Sequence, residues 1–111
     1  MLAVAALLVL SCDLRGTETS AEGTIQNNVM MRYRFDEAHK TVQFSNNGGP
    51  WRDETGPVWK VASWDKDRIV LHASKGTATF DLKAMTMDTH VVEHRGGLTI
   101  DQVGHATCKA L

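Results

Sequence analysis

The sequence predicts an all-β protein: a small antiparallel meander of seven or eight strands, closing into a barrel or a sandwich, behind an N-terminal signal segment. Three observations carry this. Beyond residue 24 the apolar residues recur with a period close to two rather than 3.6. Turn-forming clusters, "DEAHK", "NNGGP", "DKD", "SKG" and "RGG", punctuate the chain at short intervals. The connections between strands are short, which favours sequential hairpins. The 111 residues suffice for one domain. We divide them into a signal peptide (1–11), a flexible tether (12–24) and a β domain (25–111).

Residues 2–10, "LAVAALLVL", are unbroken apolar residues. A mature membrane-spanning helix needs about 20, so the run fits the apolar core of a secretory signal peptide better. A helix apolar on all sides would otherwise need a large core to hide in. No Lys or Arg precedes the run, so a basic leader segment is missing. Residues 9–12, Val-Leu-Ser-Cys, resemble a bacterial lipobox, although Leu10 is bulkier than the usual occupant. That resemblance implies cleavage before Cys12 and a diacylglycerol on its sulfur, tethering the protein to a membrane. If so, the position of Asp13 resembles the signal that keeps some lipoproteins at the inner membrane. A second reading pairs Cys12 with Cys108. Such a bridge closes nearly the whole domain and is worth about 4–5 kcal/mol in the chain-entropy model. The two readings exclude each other, because an alkylated sulfur cannot oxidise, and a third leaves both thiols unmodified. Residues 13–24, "DLRGTETSAEGT", are polar and lack aromatics, as a tether would be.

The strands follow in order. "VMMRYRF" (29–35) puts Met31, Tyr33 and Phe35 on one face and two arginines on the other. "TVQFS" (41–45) aligns Val42 with Phe44. "VWKVASW" (58–64) is rich in β-branched and aromatic residues, and the opposite parity of Trp59 and Trp64 predicts that they point to opposite faces. "RIVLHAS" (68–74), "TATFDL" (77–82), "THVVEH" (89–94), "LTID" (98–101) and "HATCKA" (105–110) complete the set. From residue 13 onward there are five Leu, three Ile, eight Val and three Phe, a thin core for so small a domain.

Two segments echo each other. "YRFDEAHKTVQF" and "ATFDLKAMTMDT" both run strand, Phe-Asp, short turn, Thr, strand. Asp36 and Asp81 can start their turns by accepting nearby backbone N–H groups. The hairpins resemble single β-propeller blades, but a propeller needs at least about four, so we read two similar hairpins in one sheet. The pattern "FDxxxKTV", "DKDRIVL", "ATFDLKAMT", "HATCK" over residues 31–109 also resembles a group of small exported bacterial lipoprotein-like proteins. Many of these have no assigned activity. The resemblance implies export and an all-β fold, and brings no catalytic residue with it.

Twelve Lys and Arg against 13 Asp and Glu leave no basic footprint for nucleic acid. "HVVEH" (90–94) has the H-x-x-E-H spacing of inverted zinc proteases, a chemistry that needs a helix. On the strand expected here, His90 and His94 lie roughly 13 Å apart, too far for one zinc. His39, His72 and His105 are scattered. We expect no catalytic residue, no metal and no cofactor. "NNGGPWRDETGP" (46–57) is the longest irregular stretch, and loops of about 12 residues are often binding elements. Trp51, Arg52, Asp53 and Glu54 sit near its tip and form the candidate binding loop, unless Trp51 folds back onto the thin core. The expected function is therefore a lipid-anchored binding or structural module of the bacterial cell envelope, contacting another envelope protein or a glycan. The alternative is an inhibitor of lysozyme-type enzymes, although the inhibitory Ser-Gly loop and the extra cysteines of such proteins are absent.

Overall fold

A computed structural model describes residues 7–111 as one antiparallel sheet. Its strands are β1 (Leu7–Ser20), β2 (Gly23–Asp36), β3 (Thr41–Asn46), β4 (Arg52–Asp53), β5 (Lys60–Trp64), β6 (Arg68–Ala73), β7 (Gly76–Asp81), β8 (Thr86–Arg95) and β9 (Leu98–Ala110). The order across the sheet is β4-β3-β2-β1-β9-β8-β7-β6-β5. Two meanders, β1–β4 and β5–β9, therefore meet where the first strand pairs with the last. The sheet curls through 254° and stops with its edges 11 Å apart. It is thus a half-barrel of nine strands, neither a sandwich nor a closed barrel of seven or eight.

Strand count and boundaries differ from expectation for local reasons. The segments "LTID" and "HATCKA" are one strand, β9, because Gly104 carries the chain straight on between them. The expected signal segment lies partly outside the described residues, and its remainder, residues 7–11, begins β1. The stretch 12–24, expected to be a flexible tether, continues β1, turns at residues 21–22 and enters β2. Its polar composition is outweighed by pairing on both sides, with β2 and with β9.

The concave face carries the core. Leu10 and Cys12 from β1, Tyr33 and Phe35 from β2, Val42 from β3, Ile69 and Leu71 from β6, Phe80 from β7, Met87 from β8 and Ala106 from β9 are buried together. Each large apolar side chain so buried contributes about 1.5–3 kcal/mol. Phe80 sits edge-on to both Tyr33 and Phe35, with ring centroids 4.9 Å away in each case. The two echoed phenylalanines thus meet in the core. Their turns match as well. The Asp36 Oδ1 accepts the His39 N–H at 3.2 Å. The Asp81 Oδ1 accepts those of Lys83 and Ala84 at 3.0 and 2.8 Å. Lys40 and Met85 then adopt φ of 52° and 58° before the threonine that opens the next strand.

Trp59 and Trp64 depart from the parity argument. The β5–β6 register slips between Val61 and Ser63. A β-bulge at Ala62 inserts one residue and reverses the alternation. Both tryptophans consequently pack against the core. The long strands β1, β2, β8 and β9 run past the others as a four-stranded tongue, giving overall dimensions of 58 × 26 × 25 Å.

Candidate functional site

Cys12 and Cys108 are directly opposed in the β1–β9 ladder and are joined as a disulfide. Cys12 is fully buried. Strand alternation places both sulfurs on the concave face, so the bond ties the two meanders together at their shared boundary.

The four residues of the expected binding loop do not share a tip. Loop 46–57 folds back over the convex face of β2 and β3. The Arg34 guanidinium lies 4.5 Å from the centroid of the Trp51 ring. Gln43 accepts from Arg34 Nε at 2.8 Å and donates to Asp53 at 3.0 Å. The Ser45 hydroxyl donates to the Gly49 carbonyl at 2.6 Å. Arg52 and Asp53 form β4 against β3. The Glu54 N–H donates to the Val42 carbonyl at 2.9 Å. Trp51 is therefore half-buried by a polar stack on the outside of the sheet, not by the core. Partial burial pushes the Glu54 carboxyl above its ordinary range. Burial, with the Glu54 charge second, pushes the Tyr33 hydroxyl well up.

The histidines of "HVVEH" occupy the convex face of β8 and each has its own partner. His90 Nε2 meets Asp101 at 2.5 Å, and His94 Nδ1 meets the Thr99 hydroxyl at 3.2 Å. His105 pairs with Asp88 at 2.6 Å. Glu93 has the opposite parity and points to the concave side. Among the described residues no three potential metal ligands gather at one point.

A wide concavity lies elsewhere, at the end of the half-barrel where the tongue begins. A groove of about 570 Å³ is lined by Val58 and Trp59, by Ala73, Lys75 and Gly76, and by Val91, Glu93, His94 and Gln102. Trp59 forms an apolar wall, held by the Gly56 N–H donating to its carbonyl at 2.9 Å. Val58 at the lip is 68% exposed. Glycine at position 76 lets the start of β7 lie close against β8, since a Cβ there would collide with the His90 carbonyl. Beyond the groove a polar network continues. Gln102 Nε2 donates to Glu18 at 2.8 Å, and the Arg95 guanidinium donates to Glu93 at 2.6 Å and lies 4.0 Å from Glu18. Sequence reasoning missed this site because it joins residues from β5 to β9. The bulge that turns Trp59 inward shows no local signature.

No protein-family model, curated protein or solved structure matches the chain. The functional reading rests on this geometry.

Proposed function

We propose that the chain is a small exported β module of the cell envelope, closed by its disulfide, that binds a short glycan segment in the Trp59 groove without catalysis. The observation that carries this reading is one aromatic wall, Trp59, across a groove from hydrogen-bonding side chains of Lys75, Glu93 and Gln102. A pyranose presents an apolar face for stacking and a rim of hydroxyls that donate and accept. Concave sites with an apolar wall and a few placed polar groups are the usual form of ligand pockets. Opposed cysteines support an oxidising compartment, where such bonds persist. The same sulfur cannot hold a thioether, so we assign Cys12 to the bridge rather than to a lipid.

Two measurements test this. Titration with envelope oligosaccharides should quench tryptophan fluorescence, and Trp59→Ala should weaken binding at least about tenfold, or about 1.4 kcal/mol. Trp51→Ala, on the other face, should leave affinity unchanged. A panel of glycans that all fail to bind would refute the site. Intact-mass analysis of the natural product should show a two-dalton gain on reduction, and acyl mass on residue 12 would overturn the disulfide assignment.

A further inference from the structure

The half-barrel leaves several stretches of strand edge uncovered, and they are not alike; the end of β8 past Val92 carries Glu93 and Arg95. β4 is two residues long and charged, Arg52–Asp53. β5 carries Lys60 and a bulge. Short length, charge and bulges are the devices by which proteins keep edges from pairing with other chains. One stretch has none of them. β2 pairs with β3 only through Met31–Asp36, so residues 23–30, "GTIQNNVM", run along the tongue with their edge open except where Asn47 meets Met30. The segment has no charge, no proline and no bulge, and its ladder with β1 is regular throughout. Ile25 and Met30 on it are 62% and 46% exposed.

The direction of the backbone groups can be read from one bond. The Met30 carbonyl accepts the Asn47 N–H at 3.2 Å, so it points away from β1. Along an antiparallel strand the N–H and C=O of alternate residues point to the same side. Thr24, Gln26 and Asn28 therefore aim both groups at the open edge. We propose that this edge pairs antiparallel with the same edge of a second copy, joining two tongues into one continuous sheet. A two-fold axis through Gln26 opposes Thr24 to Asn28 of the second copy and Ile25 to its Asn27. This register stops short of Asn46 and Asn47, which occupy the lateral position beyond Met30. It brings the two Ile25 side chains diagonally together on the concave side, within about 7–8 Å. Such an isologous contact puts no like charges in opposition, because residues 23–30 carry none. The two-fold pairs outward residues only with outward residues, Gln26 with Gln26 and Thr24 with Asn28, so each free N–H and C=O of the segment finds a partner on the second copy.

The experiment is sedimentation of the full chain across a concentration series. The natural protein should show a concentration-dependent dimer. Gln26→Pro removes an outward N–H and leaves the β1 bonds in place, and should raise the dimer dissociation constant at least about tenfold. The double variant Gln26→Lys, Asn28→Lys sets like charges across the axis and should do the same. It decides the matter if the proline variant fails to fold. A natural protein that stays monomeric at its solubility limit would overturn the proposal, as would a dimer indifferent to both variants.

Discussion

Tyr33 is the single tyrosine of the chain and lies at the centre of the concave face, 4% exposed and against Phe80. Burial, and then the Glu54 charge, raise its pKa in the folded state. The unfolded value is about 10. A folded pKa above the unfolded one means that the folded form holds its proton longer. The associated stability is fully present below about pH 10 and is lost as pH rises beyond it. Alkaline titration followed by phenolate absorbance should therefore show no ionisation of Tyr33 near its ordinary value. The signal should appear together with the loss of strand circular dichroism. Phenolate forming at the ordinary pH with the sheet intact would place Tyr33 in water and contradict the packing. The same residue shows how alternation reads a core: Met31, Tyr33 and Phe35 all face inward as their spacing predicts. It also shows the limit, because the Glu54 neighbour comes from a loop whose return path has no sequence period.

At the scale of elements, hairpins and turns were legible, whereas of the seam only the Cys12–Cys108 pairing was, as one of three readings. "FDEAHKT" and "FDLKAMT" announce their turns through an aspartate and a left-handed residue four positions later, both local effects. By contrast, "LLVLSCDLRGTETS" reads first as a greasy leader and then as a polar tether, yet residues 7–20 form one strand. Its order comes from two neighbouring ladders that no window of sequence contains. The bulge in β5 is likewise set by pairing rather than by composition. The β1–β9 ladder has a further support in Cys12–Cys108, which spans 96 positions of sequence. Joining so large a loop should stabilise the fold by about 4–5 kcal/mol in the chain-entropy model. Cys12→Ala with Cys108→Ala should reduce the unfolding free energy in urea by that order, with a larger m, because the unlinked denatured chain is less compact. A loss under about 1 kcal/mol would mean that the ladder holds without its bond.

The whole molecule is two meanders with one shared ladder and one shared core. Outside β1–β9 the halves meet through side chains: Tyr33 and Phe35 on Phe80, Phe35 on Trp64 at 6.3 Å, and Lys40 over the Trp64 ring at 5.3 Å. The covalent link between them, residues 54–59, crosses the open side of the half-barrel, where Gly56, Pro57 and Val58 are exposed. This arrangement inverts the usual relation between chain continuity and structural continuity. The sequence is continuous where the sheet is broken, and the sheet is continuous where the first and last strands meet. Cutting the chain at 56–58, through an inserted protease site, should then cost little structure. The cleaved protein should migrate as one species without reductant and as two fragments with it, because Cys12 and Cys108 lie on different halves. Its circular dichroism should match that of the uncut protein. Collapse of the strand signal on cleavage, with the disulfide still intact, would show that the 54–59 crossing holds the curl of the sheet and that the β1–β9 seam alone does not.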